Sequence, residues 1–342
     1  MRQPLLDILR CPVCGTEGGF ELENESVNKT EVYSGHIRCV CCRMQFPIVQ
    51  GCCDLLPHPS QAVAQERAAQ ATVEKRTIES SPEYARMVKN DPEMRDFILS
   101  LPQGYPDMAV LAPVVEYAVS KLKLTGSETV LDIGAGMCWT TAAFAAKGCK
   151  AVAIDISTLY MPRSRFFCND GRYFDRIIAD MTEFPVATGK FDIVFANAAV
   201  HHSPDLAKTI EEMARVLKPG GRLVLANEPV AGRYERKRIR EFGRDEIVDG
   251  FNENIYRLRQ WKELLIEFGL KPRFEIPSAG IAEKTTARLR RNGQDSVIRK
   301  LLLRSLQVPL ARHILMIIAR PFALRFYPFN VLIWATKNGR TR

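Results

Sequence analysis

Acidic residues and glycines stand at the ends of short apolar runs in the middle of this 342-residue chain. The first run ends in Asp132, Gly134 and Gly136, and such glycines let a bound group approach the backbone closely. A dinucleotide-binding loop needs a third glycine three residues later, where Trp139 stands, so a nicotinamide dinucleotide is disfavoured. A carboxylate at Asp132 would also repel a pyrophosphate, whereas it suits a cofactor that carries ammonium and sulfonium charges.

Polar residues follow the next three apolar runs at corresponding positions, Asp155, Asp180 and Asn197. Asp155 comes 23 residues after Asp132, where a carboxylate can accept hydrogen bonds from both hydroxyls of a ribose. Asp180 can face the exocyclic amine of an adenine, with Met181 beside the ring. Any one of these acidic residues could instead be a solvated strand end or a helix cap. Their common register with the glycines favours a single binding site.

These residues require a parallel sheet to bring them together. Five predicted strands alternate with helical segments, at residues 129–134, 151–155, 176–180, 191–196 and 222–226, and two more follow at residues 273–276 and 330–336. Apolar residues at helical spacing predict an amphipathic helix over 206–217, which ends at Lys218–Gly221. The pattern predicts an α/β fold with a doubly wound, mostly parallel, seven-stranded sheet. Such a sheet binds its ligand beyond the carboxyl ends of the strands.

The residues from Asp132 to Gly136, with Asp155, Asp180–Met181, 197–202 and 216–221, resemble the class I S-adenosylmethionine (SAM)-dependent methyltransferases. The resemblance is to the broad group that acts mostly on small molecules and lipids, and it spans residues 122–277 and the final strand. It implies a Rossmann-like fold and methyl transfer. It also implies cofactor contacts around the methionine moiety, the ribose, the adenine and the sulfonium, from Asp132, Gly134, Ala135, Gly136, Asp155, Ile156, Asp180, Met181 and Asn197.

A base is needed if the methyl acceptor is a hydroxyl or amine that must lose its proton. Histidine is well matched to that role near neutral pH, and His201 and His202 follow the fourth strand. These two residues are the predicted catalytic residues, and Glu228 is a more distant candidate. The alternative is that the paired histidines only shape their turn or cap the next helix.

Seven of the ten cysteines lie in the first 53 residues. Two Cys-x-x-Cys knuckles, 24 residues apart, can present four thiolates in the tetrahedral geometry of a structural zinc site. Cys41 could replace Cys39 or Cys42 as a zinc ligand, but only Cys39 and Cys42 are separated by two residues, as the knuckle requires. Cys52 and Cys53 are interpreted as small buried hydrophobic residues, and disulfides or a metal-free cluster are the alternatives. The predicted zinc ligands are Cys11, Cys14, Cys39 and Cys42.

The sequence around these cysteines, at residues 5–15, 42–48 and 51–57, resembles the small zinc-ribbon proteins that partner tRNA and release-factor methyltransferases. It departs from them at Arg43, where glycine is usual, and at Cys52 and Cys53. The predicted organisation is therefore a zinc-ribbon domain (1–59), a helical connector or cap (60–120) and a methyltransferase domain (121–342). A basic amphipathic insertion at 281–328 precedes the last strand.

The net charge of +9 is concentrated near the carboxyl end. Residues 281–342 contain 13 basic and two acidic side chains, so the rest of the chain is close to neutral. A basic amphipathic segment can contact an anionic membrane surface, form a lid over an apolar acceptor, or pack as a core helix with a solvated basic face. Nucleic-acid binding fits the charge but not the aliphatic residues beside it, and no aromatic stacking platform is evident.

The amino-terminal stretch lacks a secretory signal, and the longest charge-free run of the apolar region is 11 residues, whereas a bilayer span needs about 20. The prediction is a cytoplasmic enzyme without a transmembrane segment, with membrane association left open. It transfers a methyl group from SAM to a small-molecule, glycan-precursor or lipid-linked acceptor. The alternatives are an RNA base methyltransferase that uses the ribbon and basic tail to bind RNA, and a non-catalytic SAM-binding scaffold.

Overall fold

The structure is a computed structural model and describes residues 1–27, 31–231, 250–277 and 329–339, together with residues 308 and 314. The strands are β1 (Phe20–Val27), β2 (Val32–Cys39), β3 (Gln45–Val49), β4 (Cys52–Asp54), β5 (Thr129–Ile133), β6 (Lys150–Asp155), β7 (Asp175–Ile178), β8 (Phe191–Asn197), β9 (Leu217–Ala231), β10 (Tyr256–Arg257), β11 (Leu270–Glu275) and β12 (Phe329–Lys337). The helices are α1 (Gln61–Ser80), α2 (Pro82–Val88), α3 (Asp91–Ser100), α4 (Pro106–Leu122), α5 (Trp139–Ala145), α6 (Arg165–Asn169), α7 (Leu206–Val216) and α8 (Leu258–Glu267).

The centre of the molecule is a Rossmann-like sheet in the order β7-β6-β5-β8-β9-β12-β11. The first five strands are parallel, and β12 runs antiparallel to both β9 and β11. The strand order reverses direction between β5 and β8, which is where such sheets bind ligands. The prediction of a mostly parallel, doubly wound core is confirmed.

The predicted count of seven strands is wrong for the sheet as a whole. The amino-terminal strands β1 to β4 form an antiparallel meander, and β4 pairs in parallel with β7. The described residues therefore form one sheet of 12 strands rather than a core sheet with a separate ribbon. Pairing with β4 covers the backbone groups that β7 would otherwise leave open at the sheet edge.

Two strand boundaries also differ from the sequence prediction. β7 ends at Ile178, so Asp180 lies two residues beyond the strand rather than closing it. β9 was predicted to begin at residue 222, but it begins at Leu217, directly after α7. Leu217 already pairs with Phe191 of β8, so the strand includes the predicted turn Lys218–Gly221. α7 itself covers the predicted amphipathic segment, and its apolar face is buried.

The connector between the ribbon and the core is helical, and its helices begin where the sequence provides caps. The Ser60 hydroxyl accepts a hydrogen bond from the Val63 amide at 3.3 Å at the start of α1. α2, α3 and α4 each have a proline in their first turn, where its missing amide proton is not needed. A buried ion pair between Arg163 and Glu74, with nitrogen and oxygen 2.5 Å apart, attaches α1 to the core.

A second buried ion pair joins the ribbon to the core sheet. Glu31, just before β2, pairs with Arg176 of β7, and both side chains are fully buried. Burial raises the pKa of Glu31, but the attraction of Arg176 outweighs it, and the pKa lies below its ordinary value. Both groups are therefore charged in the folded protein.

Replacing Glu31 with Gln is expected to destabilise the protein by about 3–5 kcal/mol, because it leaves the Arg176 guanidinium buried without a compensating charge. The measurement is the free energy of unfolding in urea. The matched control is Glu21→Gln, since Glu21 forms a half-exposed ion pair with Arg38 at 2.8 Å, and its loss should cost less than about 1 kcal/mol. Equal effects of the two substitutions would contradict the role given to the buried pair.

The basic insertion predicted at 281–328 lies outside the described residues, apart from Val308 and Ile314, which are both about half-exposed. Within the part of the chain that the structure describes, no helix combines the length and the hydrophobicity needed to cross a bilayer.

Candidate functional site

A cavity opens at the carboxyl ends of the parallel strands, where the strand order reverses. Its walls are formed by the loops that follow β5, β6, β7 and β8, by one face of α1 and by the segment before β10. Five of the predicted cofactor-binding residues line it: Gly134, Asp155, Ile156, Asp180 and Met181. The predicted residues Asp132, Ala135, Gly136 and Asn197 are not among the lining residues.

The loop after β5 has a backbone that only glycine fits at Gly134. Its φ of +63° lies in the left-handed region, and a Cβ added there would stand 2.4 Å from the Cβ of Ala199. Gly136 also has a positive φ, of +52°, but an added Cβ would meet nothing within 4 Å. Gly134 therefore lets the β5 loop and the loop after β8 approach each other closely.

Asp132 does not reach the cavity. Its carboxylate is buried and accepts hydrogen bonds from the hydroxyls of Thr140 and Thr141, at 2.5 and 2.6 Å. Burial raises the pKa of Asp132 to about 7. In this structure the residue ties β5 to the start of α5, so its predicted contact with a methionine moiety stays a prediction. Asn197 is also not among the residues that line the cavity, and its side-chain oxygen accepts a hydrogen bond from the side-chain amide of Asn227 at 2.8 Å.

Asp155 and Asp180 place two carboxylates on the cavity wall. Asp155 accepts hydrogen bonds from the amides of Gly136 and Ser157, at 2.8 and 2.7 Å, which fixes both of its oxygens. Burial raises the pKa of Asp155, and these two backbone hydrogen bonds partly offset the shift. Asp180 accepts a hydrogen bond from the Thr182 amide at 2.9 Å, and Met181 lies beside it on the same wall.

Several lining residues were not found by the sequence analysis. Glu66 and Gln70 come from α1, Tyr160 from the loop after β6, and Phe251 and Asn252 from the segment before β10. Burial raises the pKa of Glu66 to about 7, and Glu66 accepts a hydrogen bond from the Asn252 amide at 2.8 Å. These residues belong to no motif, because α1, the loop after β6 and the segment before β10 reach the cavity only through tertiary packing.

The two predicted bases lie on a short 3-10 turn after β8 (Val200–His202). Only His202 lines the cavity, whereas His201 lies behind it with its Nδ1 3.0 Å from a carboxylate oxygen of Glu228. Burial raises the pKa of Glu228, but His201 and the backbone amides of Ala199 and Val200 outweigh it, so the pKa of Glu228 lies below its ordinary value. Burial and the neighbouring His201 lower the pKa of His202 to about 3.

The four predicted zinc ligands lie together at one end of the ribbon. The sulfur atoms of Cys11 and Cys42 are 3.7 Å apart, as are those of Cys14 and Cys39, and all four lie within 4.8 Å of one another. A disulfide requires about 2.05 Å between sulfurs, whereas tetrahedral zinc with bonds of about 2.3 Å separates its sulfurs by about 3.8 Å. The cluster therefore fits zinc and not disulfides. Cys41 is exposed and outside the cluster.

The comparison with protein families decides what kind of domain surrounds the cavity. Residues 131–225 match the family model described as "Methyltransferase domain". Residues 131–225 thus resemble a methyltransferase domain. This segment contains Gly134, Asp155, Asp180 and the His201–His202 turn, so most of the cavity wall lies within the matched segment.

Curated relatives match less than half of the chain. The 27-O-demethylrifamycin SV methyltransferase of Amycolatopsis mediterranei is 31% identical over 160 residues, which is 44% of this chain and 57% of that protein. The demethylmenaquinone methyltransferase of Mycolicibacterium vanbaalenii is 35% identical over 104 residues, 30% of this chain and 43% of that protein. The chain thus spans about half the length of the curated relatives that it matches.

A solved structure has the same fold. Geranyl diphosphate C-methyltransferase from Streptomyces coelicolor, in a complex that includes S-adenosyl-L-homocysteine, aligns with a TM-score of 0.50 and 17% identity. The alignment covers 66% of this chain and 76% of that one. At this identity the likeness supports the fold of the methyltransferase domain and nothing finer.

Proposed function

We propose that this protein transfers a methyl group from SAM to a small-molecule or lipid-linked acceptor. The observation that carries the proposal is the shared cavity of Gly134, Asp155, Asp180 and Met181 at the point where the strand order of a methyltransferase domain reverses. The names of the relatives support the acceptor class, because they specify a rifamycin and a menaquinone precursor.

The cavity residues fit SAM by their chemistry. Gly134 lines the cavity with backbone alone, Asp155 can accept hydrogen bonds from ribose hydroxyls, and Asp180 can accept one from the adenine amine. When bound, SAM supplies a methyl carbon activated by a positively charged sulfur. The role of the chain is to hold the acceptor in line with that carbon and to exclude water, and α1 covers the cavity for this purpose.

The base role predicted for His201 or His202 stays a hypothesis. His202 is the better placed of the two, because it lines the cavity while His201 is held against Glu228. The zinc role of Cys11, Cys14, Cys39 and Cys42 is part of the proposal, and the proposed role is structural, since four thiolates would complete the tetrahedral coordination of zinc and leave no position for a substrate.

Replacing Asp155 with Asn is expected to weaken the binding of S-adenosylhomocysteine by about 10- to 100-fold. The side-chain amide of Asn has one accepting oxygen, so it cannot accept hydrogen bonds both from the Gly136 backbone N–H and from a ribose hydroxyl as well as a carboxylate can. A hydrogen bond to a charged group is worth about 1.5–3 kcal/mol. Calorimetric titration measures the change. Asp170→Asn, at an exposed loop position, is the control and should bind normally; unchanged affinity in Asp155→Asn would argue against the ribose contact.

The acceptor class is tested by incubating the protein with SAM labelled in its methyl group and with separated lipid, small-metabolite and RNA fractions of a bacterial extract. We expect label in the small-metabolite or lipid fraction and none in RNA. Label in RNA that disappears at high salt would replace the proposal with RNA methylation. Cofactor binding without labelling of any fraction would favour a scaffold.

A further inference from the structure

Two histidines and a carboxylate converge beside the cavity, and the methyltransferase account does not use all three. His201 and His202 come from the turn after β8, and Glu253 comes from the segment before β10. One ligand atom from each lies within 4.8 Å of the other two. These three residues are called the His–Glu cluster below.

The Nδ1 atom of each imidazole faces an oxygen that accepts hydrogen bonds. His201 Nδ1 lies 3.0 Å from Glu228, which also accepts from three backbone amides, and His202 Nδ1 lies 3.1 Å from the carbonyl oxygen of Asn252. Both Nδ1 atoms therefore carry the ring proton. This arrangement, with Nδ1–H on a carboxylate or a carbonyl, is the one that orients histidines to bind metal through Nε2.

The Nε2 atoms of both rings face the carboxylate of Glu253. Nε2 of His201 lies 3.8 Å from one oxygen of Glu253, and Nε2 of His202 lies 3.5 Å from the other. A ring that is protonated at Nδ1 alone has a lone pair at Nε2, so the two Nε2 atoms and the Glu253 carboxylate direct electron pairs toward one region. Two protonated rings would be costly here, since their centroids are only 4.3 Å apart.

The distances suit a metal ion after a small contraction. With bonds of about 2.1 Å, tetrahedral coordination separates nitrogen and oxygen ligands by about 3.4 Å. The segment that carries Glu253 is already fixed to the histidine turn, because the Asn254 amide donates to the His201 carbonyl at 3.0 Å and the Asn252 side chain donates to the His202 carbonyl at 2.7 Å. Little ordering of the chain is needed on binding.

We propose that His201, His202 and Glu253 bind one divalent first-row transition-metal ion at the edge of the cavity. Two histidines and one carboxylate are a ligand set for such ions that leaves coordination positions open. Because His202 lines the cavity, the open positions face the space for the acceptor. The ion takes an acceptor that presents an oxygen ligand, such as a hydroxyl or carboxylate. This assignment excludes a base role for Nε2 of either histidine.

The test uses Co²⁺ as the probe, titrated into the full chain after its cysteine cluster has been loaded with a single equivalent of zinc, which the four thiolates bind in preference to a site of nitrogen and oxygen ligands. We expect one equivalent of Co²⁺ to bind with a Kd below about 10 μM and to give d–d absorption bands without thiolate charge-transfer bands. Glu253→Gln and His202→Gln should each weaken binding by at least 10-fold. The controls are His58→Gln, at an exposed loop, and Glu263→Gln, at an exposed position of α8, and both should bind as the wild type does.

Binding of less than 0.1 equivalent by the wild type would overturn the proposal. So would equal affinity in the two cluster variants, or charge-transfer bands that place the Co²⁺ on cysteine. Near-ultraviolet circular dichroism shows that each variant is folded, and the wild-type titration decides the question even if a variant is not. S-adenosylhomocysteine binding is measured on the same samples, so a failure of the cofactor account is distinguished from a failure of the metal site.

Discussion

Gly134→Ala is expected to weaken S-adenosylhomocysteine binding by at least about 100-fold, which corresponds to about 2.7 kcal/mol. A side chain in the left-handed region costs about 1–2 kcal/mol, and the new Cβ would stand 2.4 Å from the Cβ of Ala199. Relief of this contact must move the β5 loop or the loop after β8, and both line the cavity. Calorimetric titration of the purified variant measures the loss.

Gly189→Ala separates backbone strain from closure of the cavity. Gly189 has a φ of +68°, close to that of Gly134, but an added Cβ meets nothing within 4 Å and the residue is remote from the lining. We expect this control to lose only the stability that the left-handed backbone costs, about 1–2 kcal/mol, and no affinity. If both variants bind the ligand equally well, the β5 loop does not contribute to the ligand site.

Removing one thiolate from the cysteine cluster is expected to empty the zinc site and unfold the ribbon. Structural zinc contributes about 10–16 kcal/mol to the folding of small metal-bound domains. The buried ribbon residues, such as Phe46 and Ile48, pack in one hydrophobic cluster with the core sheet, so the loss should also destabilise that sheet. For Cys39→Ala we expect less than 0.1 zinc per chain and a melting temperature at least about 10 °C lower, since a loss of about 7 kcal/mol suffices for that shift in a chain of this length. Metal analysis and thermal unfolding measure the two effects.

The control for the zinc site lies two residues further along the chain. Cys41 is exposed and does not belong to the cluster, so Cys41→Ala should keep one zinc and a wild-type melting temperature. Loss of zinc in Cys41→Ala, or retention of zinc in Cys39→Ala, would show that the ligand set is misassigned. Because β4 pairs with β7, we also expect Cys39→Ala to aggregate through the newly opened sheet edge.

The core sheet could be predicted because its signals are local. Each parallel strand is a short apolar run, and a residue at its carboxyl end, such as Asp155, is polar because it meets the ligand edge of the sheet. The glycine requirement at Gly134 was also visible, although its physical cause, the proximity of Ala199, was not. The spacing of the cysteines similarly predicted which four would lie together.

The features that the sequence did not reveal depend on pairing and packing between distant segments. Nothing in β4 indicates that its neighbour is β7, more than 120 residues later, so the continuous sheet was predicted as two separate parts. The burial of Asp132 depends on two threonines of α5, and the approach of Glu66 to the cavity depends on how α1 lies on the sheet. Glu253 was missed because it comes from a segment without a motif.

The most direct test of the central claim is a calorimetric titration of the zinc-loaded wild-type protein with S-adenosylhomocysteine. The account predicts a single site per chain with a Kd in the micromolar range, a binding free energy of about −8 kcal/mol, and competition by SAM. A folded, zinc-loaded protein that gives no binding heat, and whose melting temperature does not rise with millimolar ligand, would contradict the account.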